Sequence, residues 1–151
     1  MYRVVWVMLP GLPSLVPTQS LSGKSVRISD VKDGTANSIL LGEKFLFPKA
    51  FQGQSYCSDD QGYVDGWDND TIGLAYGRNG ANGPPVRPQR ILTTPEDNNE
   101  CGSFFGSIHA ACHFVFCDGS VHQVDFGIDR NLWPRLCSIN DGQPVPSDGW
   151  N

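Results

Sequence analysis

Two histidines and a cysteine at 109–113 are of residue types that could do chemistry. The segment HAACH supplies imidazole and thiol ligands of the kind that Zn²⁺ takes, so His109 and His113 are candidates for a metal-dependent hydrolase. The segment lacks the glutamate of the helical His-Glu-x-x-His motif. On a strand, its cysteine and its second histidine would also point to opposite faces. Structural use of these side chains is the competing interpretation.

An acidic loop at 57–70 offers a second candidate site. Carboxylate oxygens are the hard ligands that Ca²⁺ prefers. The candidate calcium ligands are Asp59, Asp60, Asp65, Asp68 and Asp70. Their spacing is not that of an EF-hand, and aspartate also recurs in loops because its side chain hydrogen-bonds nearby backbone. The aromatic residues Tyr63, Trp67 and Trp150 extend the alternatives to glycan recognition, although such residues more often anchor long loops.

Composition excludes several classes of protein. The chain has 151 residues, a length that suits one domain. Its formal net charge of -5, without a Lys/Arg cluster, gives no footprint for nucleic acid. No serine sits in a Gly-x-Ser-x-Gly motif, and the glycine-rich stretch 77–83 lacks the lysine of a phosphate-binding loop. The content of 17 Gly and 11 Pro indicates many turns and few long helices.

The five cysteines are spaced unlike those of zinc ribbons or thioredoxins. They are Cys57, Cys101, Cys112, Cys117 and Cys137. An oxidising compartment with one or two disulfides would suit them, and the odd number leaves at least one thiol unpaired. The sequence does not decide which cysteines pair.

A hairpin around Asp118-Gly119 is the clearest local signal. The β-rich runs 112–117 and 120–126 flank this dipeptide, which favours a two-residue type I′ turn. With that turn, Phe116 would face Val121, and the residue before Phe116 would face His122. The sequence therefore predicts two antiparallel strands in this segment.

Two other segments have the pattern of regular elements. The run 37–47 predicts a strand with its apolar residues on one face at period two and with Glu43 interrupting that face. Those apolar residues are Ile39, Leu41, Phe45 and Phe47. Asp129 is expected to cap a short final helix that ends at Leu136, in which Pro134 costs a hydrogen bond.

The order of these motifs resembles a family of prepilin-type proteins common in planctomycetes. Such proteins carry an N-terminal cleavage and methylation segment and a C-terminal signature of His, nine residues and Asp-Gly. The matching pieces are SVRISDVKDGTANSILLGEKF, DDQGYVDGWDND, FGSIHAACHFVFCDGSVHQVDFGID and LWPRLCSINDGQPV. In this chain the signature falls on His109, Asp118 and Gly119, with eight intervening residues where the family has nine.

The resemblance implies an α+β fold: a pilin-like head with an antiparallel sheet, long loops and a short C-terminal helix. It also implies a non-catalytic assembly protein of the cell envelope, displayed outside the cytoplasm and related to type II secretion or type IV pilus-like systems. Its partners would be other pilin-like subunits and the secretion or pilus machinery. The membrane would be reached only through an N-terminal helix that this sequence does not contain.

Three divisions of the chain follow from the resemblance. Residues 1–22 match nothing in the family and are interpreted as a poorly matched leader or the result of a wrongly chosen start, with a secretory signal peptide as the alternative. Residues 23–145 are expected to form the head, and 146–151 a tail. An upstream reading frame encoding a cleavage site and about 20 apolar residues would be expected before Met1.

Overall fold

The computed structural model describes residues 4–7, 26–48, 52–53, 71–76, 85–91, 104–146 and 150. Within these ranges the elements are β1 (Val4–Val7), a 3₁₀ helix (Ile28–Asp30), β2 (Ile39–Glu43), β3 (Ile72–Gly73), β4 (Gln89–Arg90), β5 (Gly106–Ser107), β6 (Cys112–Phe116), β7 (Val121–Val124) and α1 (Leu132–Leu136). In this part of the chain, no helix is both long enough and apolar enough to cross a membrane.

A five-stranded sheet in the order β3-β1-β2-β6-β7 is the centre of the described structure. The contacts β1–β2, β2–β6 and β6–β7 are antiparallel, and β1–β3 is parallel. A separate pair, β4–β5, is also parallel. The mainly antiparallel sheet and the short helix confirm the predicted α+β class, while the two parallel pairs go beyond the prediction.

Strand β1 lies inside the segment 1–22 that the sequence leaves unmatched. It pairs with β2, with Val4 opposite Glu43 and Trp6 opposite Leu41. On its other side it pairs with β3. The sheet therefore includes backbone from this segment.

The predicted hairpin is confirmed, but its register differs from the expected one by one residue. Val115 pairs with Val121, although a two-residue turn would have paired it with His122. The strands are joined by a longer loop than the sequence suggested. The physical reason lies in the turn.

The turn between β6 and β7 has three residues, 117–119. The Phe116 N–H donates to the Ser120 carbonyl and the Gly119 N–H donates to the Phe116 carbonyl, both at 2.9 Å. Gly119 has φ +87°. The second bond closes a β-turn, and Gly119 follows in the left-handed region, which a glycine adopts freely; this arrangement is typical of three-residue hairpin loops.

A β-bulge in β2 changes the face that its side chains occupy. Ile39 pairs with Phe116, but Leu41 already pairs with Val115. One extra residue, Leu40, is therefore accommodated on the β2 side. A bulge of this kind reverses the alternation of side chains beyond it.

The predicted single apolar face of the 37–47 segment is wrong as a consequence. Ile39 belongs to the main core, whereas Phe45 and Phe47 belong to a second cluster beyond the end of β2. Leu41 is only partly buried. Glu43 lies on the same face as Leu41, so it does not interrupt the core.

The main core is built around the Trp133 indole of α1. Its ring centroid lies 5.6 Å from that of Phe105 and 5.4 Å from that of Phe114, and these two phenylalanine rings are 5.3 Å apart. All three side chains are at most 1% exposed. Helix α1 therefore covers the aromatic face of the sheet.

Helix α1 begins after a turn organised by Asp129. Asp129 Oδ1 accepts the N–H of Asn131 at 2.7 Å and that of Leu132 at 3.0 Å. The Trp133 N–H already donates to the Asp129 carbonyl at 3.0 Å, four residues earlier. Pro134 has no N–H with which to continue this series, so it costs one helical hydrogen bond, as the sequence predicted.

Candidate functional site

Glu43, His113 and Gln123 form a hydrogen-bonded group on the sheet face opposite the aromatic core. Glu43 Oε2 accepts the His113 backbone N–H at 2.8 Å and lies 3.3 Å from His113 Nδ1. Gln123 Nε2 lies 3.0 Å from His113 Nε2. The side chains are 40% exposed for His113 and 19% for Glu43. The group links β2, β6 and β7.

The hydrogen bonds assign a tautomer to His113. A glutamine Nε2 can only donate, so the Nε2 atom of His113 accepts and its Nδ1 carries the proton that points at Glu43. Both ring nitrogens are thus occupied by neighbouring side chains. In this arrangement the imidazole has no lone pair directed at a ligand or a substrate.

The end of the β2–β6 ladder explains why the Glu43 side chain accepts a hydrogen bond from the backbone of β6. The last paired residues are Gly42 and Phe114. The N–H of the next β6 residue towards this end, His113, points to the β2 side, and the Glu43 carboxylate accepts it. The acidic side chain therefore replaces a backbone acceptor where the strand pairing stops.

His109 lies next to this group. It is exposed, and its ring centroid lies 6.3 Å from that of His113. Its backbone N–H donates to Ser107 Oγ at 3.2 Å. Cys112 points into the core, on the face opposite His113, as the strand argument predicted. Within the described ranges, no three His, Cys, Asp or Glu side chains are placed to hold a metal ion.

The three described cysteines are free thiols. Burial, and secondarily the Glu43 charge, raises the pKa of Cys112 well above its ordinary value of 9.0. Burial alone does the same for Cys137. Burial and then the Asp118 charge raise the pKa of Cys117. These thiols are poor nucleophiles near neutral pH. Cys57 and Cys101 lie outside the described residues.

Thiol labelling should follow this order of burial. In native protein at pH 8, Cys117 is expected to react with iodoacetamide more slowly than a free thiol, and Cys112 and Cys137 only after unfolding. The Asp118→Asn substitution removes a negative charge beside Cys117 and should accelerate its labelling. Peptide mass mapping over time measures each rate; rapid labelling of native Cys137 would contradict the prediction.

The same pKa shifts predict loss of stability at alkaline pH. A thiol whose pKa is raised in the folded state stabilises the fold fully below its unfolded pKa, near 9, and the stabilisation is lost as pH rises further. Urea unfolding between pH 7 and pH 10.5 should show a falling free energy above about pH 8.5. The double substitution Cys112→Ala and Cys137→Ala should flatten that fall, which is the matched control.

A second polar group organises the turn at the other end of β6. Asp118 Oδ1 accepts from the Ser120 hydroxyl at 2.6 Å and from the Ser120 backbone N–H at 2.9 Å, and these bonds lower the pKa of the Asp118 carboxyl. His122 Nε2 lies 2.9 Å from Ser120 Oγ. In a hydrolytic triad the imidazole stands between hydroxyl and carboxylate. Here the hydroxyl stands in the middle and donates a hydrogen bond to Asp118, so the group fixes a turn.

Trp150 comes from the predicted tail but packs into the core. Its ring is stacked on Phe116, with centroids 4.9 Å apart, and meets His122 edge-on at 4.8 Å. The side chain is only 7% exposed. Trp150 is therefore an anchor of the chain end, and it presents no open platform for a sugar.

The residues of the signature His109, eight residues, Asp118-Gly119 lie at opposite ends of one strand. His109 precedes β6, and Asp118 and Gly119 follow it in the turn. Five residues of strand separate the two ends by about 14 Å. The signature thus describes a strand and its turn, and it does not assemble one reaction centre.

The remaining candidate residues lie outside the described part of the chain. This applies to all five candidate calcium ligands, Asp59, Asp60, Asp65, Asp68 and Asp70, and to Tyr63 and Trp67. The calcium and glycan hypotheses for the 57–70 loop stay predictions.

Glu43 and Gln123 are the site residues that the sequence did not indicate. For Glu43 the only signal is a glutamate inside an apolar strand, and that pattern indicates an interrupted core face. The second carries no signal, because an exposed polar residue in an edge strand is ordinary. Only the register of three strands brings both side chains to His113.

Removal of the Glu43 carboxylate should destabilise the fold. In Glu43→Leu the His113 N–H loses its acceptor, at a cost of about 1–3 kcal/mol. Glu43→Gln keeps a side chain of the same length that ends in a carbonyl acceptor, and this variant should cost less than half as much as Glu43→Leu. Urea denaturation followed by tryptophan fluorescence measures both variants; equal costs would mean that the bond does not carry the effect.

Fold and polar groups together define a small α+β domain whose hydrogen-bonded side chains hold strands and turns in place. A family profile, SBP_bac_10, described as protein of unknown function (DUF1559), matches residues 11–131, which is 121 of the 151 residues. The chain belongs to this family. No curated protein and no solved structure matches it.

Proposed function

We propose that this chain is the extracytoplasmic, non-catalytic head of a pseudopilin-like envelope assembly protein, of the kind used by type II secretion or type IV pilus-like systems. Its partners are other pilin-like subunits and the machinery that assembles them. The proposal rests on the motif order noted in the sequence, and membership of a family of unknown function is compatible with it.

The observation that supports a non-catalytic role is that the polar side chains nearest to a catalytic arrangement are engaged in hydrogen bonds with one another. Glu43 and Gln123 lie within hydrogen-bond distance of the two ring nitrogens of His113, and the Ser120 hydroxyl donates its hydrogen bond to Asp118. A general base needs a lone pair within reach of a substrate proton. Side chains engaged in this way support strand pairing, which is what a displayed assembly module requires.

Raised thiol pKa values point the same way. Catalytic cysteines have lowered pKa values and accessible sulfur atoms. Burial instead raises the pKa of Cys112 and Cys137 in the core. Both residues serve as small core side chains.

Cell fractionation tests the proposal. The gene is tagged at its chromosomal locus after the last codon, so that whatever precedes residue 1 of this chain stays in place. The tagged protein should fractionate with the envelope, become protease-sensitive when the outer layers are permeabilised, and cross-link to pilin-like subunits. Recovery with a cytoplasmic marker protein, without such cross-links, would refute it.

A further inference from the structure

The outer strand β7 presents a backbone edge. It is the last strand in the sheet order, with β6 as its neighbour among the described residues. The bond from Phe116 N–H to the Ser120 carbonyl makes these residues a hydrogen-bonded pair. Bonded and non-bonded pairs alternate in an antiparallel ladder, so the N–H and C=O groups of Val121 and Gln123 point away from β6.

Within the part of the chain that the structure describes, this edge lacks the usual protection against pairing. Natural edge strands carry charges, prolines or bulges that discourage another strand. The sequence of β7 is Val-His-Gln-Val, without charge or proline. Val121 is 62% exposed and Gln123 is also exposed. The edge is therefore accessible and suited to the addition of a strand.

Two fixed carboxylates stand at the ends of β7. Asp118 Oδ1 accepts from Ser120, and Asp125 Oδ1 accepts the Gly127 N–H at 2.5 Å. Both aspartates are exposed. Five residue steps along the strand, from Ser120 to Asp125, span about 17 Å. An incoming strand with basic side chains at that separation would match both charges.

We propose that the β7 edge binds an extended polypeptide segment with two basic side chains about five residues apart, by β-strand addition. Its backbone pairs with Val121 and Gln123, and its basic side chains meet Asp118 and Asp125. This inference rests on the proposed assembly function, since it names the chemistry of a partner. A second copy of this chain fits less well, because it brings the same acidic ends and a net charge of -5.

Titration of the full chain with labelled capped peptides tests the edge. The probe is Lys-Val-Thr-Val-Thr-Lys and its control is Glu-Val-Thr-Val-Thr-Glu, with fluorescence anisotropy as the readout. The basic peptide should bind about tenfold or more tightly than the acidic one, and added salt should reduce the difference. Equal binding, or no binding of the basic peptide, would overturn the proposal.

Matched variants separate the contribution of backbone pairing to peptide binding from that of the two carboxylates. Val121→Pro removes an outward N–H without removing a bond to β6, and it should weaken binding about five- to tenfold, whereas Val121→Thr should not. The pair Asp118→Asn and Asp125→Asn keeps the turn acceptors but should abolish the preference for the basic peptide. If Val121→Pro unfolds, the asparagine variants still test the proposal, because an unchanged preference for the basic peptide would contradict it.

Analytical sedimentation tests whether a second copy of this chain, and not a basic peptide segment, binds the β7 edge. The chain should remain monomeric at the concentrations of the titration. A dimer that Val121→Pro dissociates would identify a second copy as the partner and overturn the peptide proposal. Envelope recovery of the tagged protein is independent of both results, so a failure of the edge and a failure of the proposed function can be told apart.

Discussion

Trp133→Ala should lower the free energy of unfolding by about 3–5 kcal/mol, the range for removal of a large aromatic side chain from a core. Trp133 is fully buried and its ring packs on both Phe105 and Phe114. These contacts join α1 to the sheet. Loss of the indole should therefore expose the aromatic face and leave the protein largely unfolded at 37 °C, since small domains have only about 5–15 kcal/mol in total.

A phenylalanine at this position is the matched control. The Trp133 indole N–H is buried and has no hydrogen-bond partner among the described residues. Trp133→Phe keeps an aromatic ring and removes that buried donor, so it should cost well under half of the alanine substitution. Urea unfolding monitored by far-ultraviolet circular dichroism measures both; similar costs would contradict the explanation by ring packing.

The hairpin shows how far local sequence signals reach in this chain. Asp118-Gly119 between two β-rich runs was enough to predict both strands, because only a few residues can turn a chain so tightly. It did not decide between a two-residue and a three-residue loop, since Gly119 fits the left-handed position in both. The register of Val115 and Val121 depends on that choice.

The polar group at His113 shows what local signals could not provide. Its partner Glu43 is far away in the sequence, and the two meet only because a bulge at Leu40 reverses the faces of β2. A bulge here is set by packing against the neighbouring strands, and period-two alternation cannot reveal it. The strand was predictable, but the face that Glu43 occupies was not.

The aromatic core follows the same rule. The short final helix and its Asp129 turn were predictable from a capping residue and a nearby apolar run. The position of Trp133 between Phe105 and Phe114 was not, because it requires the distance between α1 and the sheet. Likewise, the parallel contact of β1 with β3 joins segments without a local signal for pairing.

Gly42→Ala is the second substitution with a large expected effect, and it follows from the same bulge. Beyond Leu40, Gly42 faces the core, and a Cβ atom there would overlap the Phe114 ring and lie 2.8 Å from Phe105 Cδ1. Overpacking of this kind costs about 1–3 kcal/mol. The glycine is needed for close approach, since it lets two aromatic rings lie directly against the β2 backbone.

A double-mutant cycle with Phe114→Leu tests this explanation. Leucine leaves space where the Phe114 ring meets the new methyl group, so the double variant should be more stable than the sum of the single costs predicts, by about 0.5–3 kcal/mol. Additive costs would show that the clash is not the cause. Because Gly42 is next to Glu43, a shift of β2 that relieves the clash would also move the carboxylate from the His113 N–H. Faster hydrogen exchange at that amide in Gly42→Ala would therefore show that one close contact in the core positions the polar group on the opposite face.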